Sequence, residues 1–215
     1  MIQTNVNTKD LPRLCGLATI APLSLEQYHR MIEVGIVGED DPMELIDGYL
    51  VFKDQGRGPG MGHGFPHATA VTNAQSLLLA ALGTSCVIRT QLPITLGVGG
   101  AGGGKEPEPD VTVADGPAQR YLTHHPGPPE IRLLVEAADS SLALDRNVKG
   151  PLYATANIAL YWIINLVDRQ LEVYSDPDAA TGQYRSQQIL GEHKQVTLSW
   201  PGLAPITLAV KDFLP

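Results

Sequence analysis

Apolar positions recur along this chain at two spacings, one helical and one alternating, and the switches between them mark out the elements. From Ser24 the residues Leu25, Tyr28, Met31 and Ile32 share one helical face. Gln27 completes a capping box with Ser24, and Gly35 stands where a C-terminal cap belongs. Residues 44–53 read as a hairpin turning at Asp47-Gly48. Helical spacing returns over 67–82 through Val71, Ala74, Leu78 and Leu82, and Gly83 ends it. Segments 85–89 and 91–96 are strand-like, and 110–114 and 131–137 are short β-rich runs. Residues 142–157 are helical in pattern but contain Gly150-Pro151, where the proline removes a backbone donor and predicts a kink or an ended turn. A buried strand over 161–167 follows, then a meander through 171–174, 184–190 and 195–199. Helices precede and interrupt a mostly β centre. The pattern predicts one α/β (α+β) domain over 24–215, after an irregular lead-in over 1–23 punctuated by Pro12 and Pro22.

Composition narrows the class. With 215 residues and 43% hydrophobic content, the chain suits a single domain with a sizeable core. A formal net charge of -8 gives no long-range help in approaching nucleic acid, which argues against a bulk DNA binder. It leaves room for an enzyme with a local basic groove, because phosphate contacts are short-ranged under screening. The two cysteines, Cys15 and Cys86, form neither a disulfide framework nor a CxxC site, so a reducing cytoplasm is expected. The first residues are polar and no run is long enough to span a membrane, so a soluble cytoplasmic protein is expected.

The candidate chemistry lies between Glu108 and Tyr153. Asp110 and Glu136 are 26 residues apart, and each borders an apolar run. If those runs are neighbouring strands, both carboxylates reach one edge of a sheet. Two converging carboxylates suit Mg²⁺ or Mn²⁺ with a substrate phosphate, and an acid at a strand end is equally common without function. Lys149 follows Asp145 at i,i+4 spacing. That pair is either a solvated surface contact or an ammonium aimed at a scissile phosphate or its attacking water. Glu44 opens the hairpin strand, either as a solvated glutamate or as a third carboxylate. Tyr153, one turn beyond Lys149, reads as core.

Other motifs carry less. His63 and His67 are separated by Gly64 and Pro66, which spoils the helical pair geometry of a zinc site. His124-His125 lie in a Pro/Gly loop. The glycine-rich run 97–105 lacks the hydroxyl and helix of a phosphate loop and reads as mobile, with a possible role, beside 54–66, in covering a site. Ser140-Ser141 have no nucleophile elbow around them and read as helix caps. A two-carboxylate glycosidase would leave Lys149 without a role, and aromatic residues at 6% offer few sugar platforms.

The order Glu44-Leu-Ile-Asp-Gly48, His67 at a helix start, Glu108-Pro-Asp110, Leu133-Leu-Val-Glu136, Ser140-Ser141, Asp145, Lys149, Tyr153 and Tyr161-Trp162 resembles the Uma-type putative restriction endonucleases of the PD-(D/E)XK nuclease superfamily. The likeness covers roughly residues 24–175. It implies a restriction-endonuclease-like mixed central sheet flanked by helices. It also implies a divalent metal, Mg²⁺ or Mn²⁺, held by Asp110 and Glu136, with the Ala137 carbonyl as a further ligand and Glu44 assisting. Ala138 stands where the superfamily usually carries lysine, so Lys149 is the implied replacement. DNA is the implied substrate and a homodimer the implied assembly. The chain departs from the family in reading Ala137-Ala138-Asp139-Ser140-Ser141 after the glutamate, and in carrying Gly150-Pro151 beside Lys149. Those departures leave a non-catalytic binding or assembly module as the alternative.

Overall fold

A computed structural model describes residues 21–38, 41–52, 64–97 and 103–215. The first helix, α1 (Leu25–Glu33), starts at Ser24, whose hydroxyl accepts from the Gln27 amide while the Gln27 side chain accepts from the Ser24 amide. Gly35 follows at φ 74°, the left-handed conformation that ends a helix without a Cβ penalty. The hairpin is β1 (Met43–Ile46) paired with β2 (Tyr49–Phe52) across Asp47-Gly48, both at positive φ. Helix α2 (Phe65–Leu82) has Pro66 in its first turn, where a missing N–H costs nothing, and ends at Gly83.

Four strands of the centre come next: β3 (Cys86–Thr90), β4 (Val111–Asp115), β5 (Ile131–Ala138) and, after a helical segment, β6 (Leu160–Asn165). With β7 (Gln170–Asp178) and β8 (Gln183–Gly191) they form a six-stranded sheet in the order β3-β4-β5-β6-β7-β8. Only β5 and β6 run parallel; the other neighbours are antiparallel. The helical crossover between β5 and β6 is what a parallel pair requires. The sheet is therefore mixed, as the resemblance implied. Strands β9 (Gln195–Leu198) and β10 (Ile206–Ala209) form a separate two-stranded sheet, so the C-terminal meander extends the central sheet only as far as β8.

Both faces of the central sheet are covered, which explains why β5 reads as an almost unbroken apolar run. On one face Val111, Leu133, Val135, Ala137, Trp162 and Ile164 pack under Ala70, Ala74 and Leu78 of α2 and under Phe213. On the other, Leu134, Ala138, Tyr161 and Ile163 pack against Leu152 and Tyr153 of the crossover and Ile46 of the hairpin. Helix α1 closes over Leu45 through Leu25 and Tyr28.

Several local expectations change. Residues 91–96 are not a strand; they run alongside 105–107 through the Ile94 and Leu96 amides, which donate to the Pro107 and Lys105 carbonyls. Val167, expected at the end of a buried strand, is exposed beyond β6. The end of the glycine run is anchored: the Gly104 amide donates to the Leu23 carbonyl at 2.8 Å, and its carbonyl accepts from the Gly48 amide at 2.8 Å. A Cβ on Gly104 would lie 2.6 Å from the Leu25 nitrogen, so glycine is the residue that lets these backbones cross. The covering role considered for 54–66, and His63, fall largely outside the described residues.

Candidate active site

Register explains how two acids 26 residues apart come together. Val111 pairs with Val135 in the antiparallel β4–β5 ladder. Continuing that register by one residue puts Asp110 opposite Glu136. Asp110 Oδ2 accepts the Ala137 amide at 2.8 Å, and the Asp110 amide donates to Glu136 Oε2 at 3.3 Å. The two side chains are thus fixed to each other's strand end, and both are buried.

The crossover brings the lysine. It runs as α3 (Leu142–Leu144), a π turn over Asp145–Lys149 and α4 (Gly150–Thr155). The Gly150 amide donates back to the Asp145 carbonyl, the wide i,i+5 closure of a π turn. Pro151 then falls in the first turn of α4, where it removes no needed donor. Gly150 is packed closely: a Cβ there would stand 3.3 Å from the Asp145 oxygen and 3.6 Å from the Tyr161 ring. The expected kink is therefore a π turn, and it leaves Asp145 and Lys149 both buried rather than on a solvated face.

Lys149 Nζ lies 3.0 Å from Glu136 Oε1 and 3.3 Å from Glu44 Oε1. Glu44 faces the site because strand alternation turns Leu45 toward α1 and its two neighbours the other way. Its second oxygen, Oε2, accepts the Glu108 amide at 2.9 Å. Glu44 Oε1 is buried without an aligned hydrogen bond, so its contact with Lys149 is one of charge alone. Tyr153, expected as core, is fully buried and also donates its hydroxyl to Glu136 Oε1 at 2.8 Å. The Ser141 hydroxyl does not cap the helix; it donates to Asp145 Oδ2 at 2.7 Å.

The electrostatics are those of a crowded acidic cluster. Burial, opposed by Lys149 and reinforced by Asp145, Asp110 and Glu44, pushes the Glu136 carboxyl well above the usual range. Burial likewise lifts Asp145 from its ordinary 3.8 to about 6, against the pull of Lys149. Burial alone would lower Lys149, but Glu136, Glu44, Asp145 and Asp110 together hold it well above its ordinary value. Lys149 is the charged member of its pair with Glu136, since two carboxylates touch it, and burial favours a proton on Glu136 or Asp145. Asp110 differs: burial raises it, but His67 and the Ala137 amide outweigh that and bring it below its ordinary value.

His67 is the residue that sequence reasoning undervalued. On sequence alone it reads as a poor half of a zinc pair with His63 and as one position of the ordered motif, with no role of its own at the site. In the fold it stands in the first turn of α2, with Nδ1 2.8 Å from the Ala137 carbonyl oxygen and Nε2 3.1 Å from Asp110 Oδ1. The signal available was its place in the ordered motif at a helix start. His124 and His125 lie elsewhere, beside Glu130 and Arg89 respectively.

Asp110, Glu136, Lys149 and Glu44 thus converge, with the Ala137 carbonyl at the same strand end. Their donors are hard oxygens, the negative charge exceeds what one lysine balances, and Glu44 Oε1 is a buried acceptor with capacity to spare; that chemistry fits a hard divalent cation. Among the described residues, no three His, Cys, Asp or Glu side chains already stand at the spacing of a metal cage.

Known proteins give the same fold. A crystal structure described as a putative nuclease belonging to DUF820, from Anabaena variabilis ATCC 29413, superposes with a TM-score of 0.60 at 17% identity, covering 89% of this chain and 97% of that one. No curated protein matches the chain. Among the described residues, no helix is long and apolar enough to cross a membrane. The family described as "Uma2: Putative restriction endonuclease" matches residues 25–211, a span that holds all four converging side chains and both faces of the sheet. The chain belongs to the Uma2 family.

Proposed function

We propose that the chain is a divalent-metal-dependent endonuclease that hydrolyses phosphodiester bonds in DNA. One observation carries the reading: Lys149 Nζ stands 3.0 Å from Glu136 Oε1, at the strand end where Asp110 is fixed opposite Glu136. Asp110 and Glu136 would hold the cation, with Glu44 as a supporting oxygen, while the Ala137 carbonyl accepts from the His67 ring. A bound Mg²⁺ or Mn²⁺ supplies a more acidic water and a polarised phosphoryl oxygen. Lys149 places its positive charge where the attacked phosphate gains negative charge, and Tyr153 holds Glu136 in one orientation. The attacking water gives its oxygen to phosphorus, the bond from phosphorus to one bridging sugar oxygen breaks, and that oxygen leaves with a proton. The proton that the water gives up ends on the departing sugar oxygen, so atoms and charge balance. Incubating supercoiled plasmid with the protein and Mn²⁺ tests the reading; it predicts nicked or linear DNA, and cleavage that survives Asp110→Ala would overturn the assignment.

A second reading has one observation in its favour. Glu136 Oε1 already accepts from both Lys149 and Tyr153, and Oε2 from the Asp110 amide. A site so fully satisfied by its own chain is what a non-catalytic module retaining the nuclease fold would show. Calorimetric titration with Mn²⁺ separates the two: carboxylate-dependent heat supports the enzyme, and no binding at millimolar metal supports the module.

A further inference from the structure

His67 has a geometry that the proposed metal site does not use. A backbone carbonyl can only accept a hydrogen bond, so the 2.8 Å contact with Ala137 places a ring proton on Nδ1. Asp110 Oδ1, 3.1 Å from Nε2, is an acceptor as well, so without a cation Nε2 also carries a proton and donates it there, and a bound cation would take that proton's place. In a metal-binding histidine, one nitrogen ligates while the other donates its N–H to a carbonyl or carboxylate, which fixes the ring's tautomer and direction. His67 already makes the second half of that arrangement. The separation is also suited to ligation. Two donors each about 2.1 Å from one ion, at a right angle, stand about 3 Å apart.

The rest of the site points the same way. Glu136 spends both oxygens on Lys149, Tyr153 and the Asp110 amide, so it is the less available of the two acids. Asp110 Oδ2 is spent on the Ala137 amide. The remaining oxygen, Oδ1, is the one that faces His67. The ring is mostly buried, with its side chain 12% exposed, and Pro66 and the start of α2 hold it in place.

We propose that His67 is a nitrogen ligand of the divalent cation, next to Asp110 Oδ1, and that the site therefore favours a first-row transition ion such as Mn²⁺ over Mg²⁺. The proposal rests on the metal-dependent reading of this site. An imidazole donor strengthens binding of transition ions far more than of Mg²⁺, which prefers carboxylate, carbonyl and water oxygens. Mn²⁺ should bind about tenfold or more tightly than Mg²⁺, and His67→Gln should reduce that preference to a few-fold.

The test is pulsed electron paramagnetic resonance on the full chain loaded with Mn²⁺. The wild-type protein is read first, so the folding of a variant is not at issue. A nitrogen coupling characteristic of imidazole, lost in a His67→Gln protein that still melts cooperatively, is the expected result. Mn²⁺ bound in an Asp110-dependent way with no nitrogen coupling would overturn the ligand assignment and leave the metal site standing. A coupling that persists in His67→Gln would overturn it as well. No Mn²⁺ bound at all would overturn both the ligand and the metal-dependent reading beneath it.

Discussion

Lys149 reaches Glu136, at 3.0 Å, although Gly150-Pro151 follows it directly. The π turn makes this possible by absorbing the break before the proline, so that Pro151 occupies the first turn of a new helix. The ammonium is then buried between two glutamates. Removing it should be expensive, because a buried ion pair broken on one side leaves an uncompensated charge. Lys149→Met is expected to lower stability by about 3–5 kcal/mol in urea denaturation. Adding Glu136→Gln should recover part of that loss. Equal stability of the wild type and Lys149→Met would mean the pair is not formed.

Asp145 gives a pH signature. Its folded carboxyl is lifted to about 6 from an ordinary 3.8. Between those values the folded protein holds a proton that the unfolded chain has released. Stability contributed by Asp145 is therefore full below about pH 4, falls as pH rises toward 6, and stays low above. Asparagine imitates the protonated acid and lacks this slope. Asp145→Asn should gain on the wild type between pH 4 and pH 8 by an amount on the order of 1–3 kcal/mol, measured by denaturation at both pH values without added metal. A constant difference between the two proteins would contradict it.

Glu172 anchors the crossover to the sheet from a different strand. It is fully buried and accepts from Arg146, Asn165 and Tyr174. Glu172→Ala releases the partly exposed Arg146 side chain and takes an acceptor from Asn165 and Tyr174. A loss of about 1–3 kcal/mol is expected, read by thermal or urea unfolding. A loss under about 1 kcal/mol would mean that the contact is not a tether.

The crossing of three backbones at Gly104 makes a sharper local prediction. Gly104→Ala must push Leu25 or Leu45 aside, at a cost of about 1–3 kcal/mol. Gly191→Ala offers a control, because its Cβ would meet nothing within 4 Å and its φ is not positive. That change should cost under about 0.5 kcal/mol. Melting temperatures should fall further for Gly104→Ala than for Gly191→Ala, and the reverse order would contradict the packing.

Much of this was legible in the residues for physical reasons. Capping at Ser24, the Asp47-Gly48 turn and the stop at Gly83 are local chemistry, and local chemistry survives without tertiary information. The pairing of Asp110 with Glu136 was visible only as two acids at strand ends; the register that places them opposite each other belongs to the β4–β5 ladder. Residues 91–96 alternate like a strand, yet their partners at 105–107 give them only scattered bonds. The i,i+4 spacing of Asp145 and Lys149 suggested a solvated helix face, because a π turn has no marker stronger than the Gly-Pro pair that follows it. His67 escaped assignment because its partners, Asp110 and the Ala137 carbonyl, are 43 and 70 residues away.

The most direct test of the account compares four proteins on one substrate. Supercoiled plasmid is incubated with Mn²⁺ and the wild-type chain, Asp110→Ala, Glu136→Gln or Lys149→Met, each shown to be folded. The account predicts nicking or linearisation by the wild type and a loss of about a hundredfold or more in each variant. Intact plasmid with the wild-type protein, or cleavage undiminished in Asp110→Ala, would contradict it.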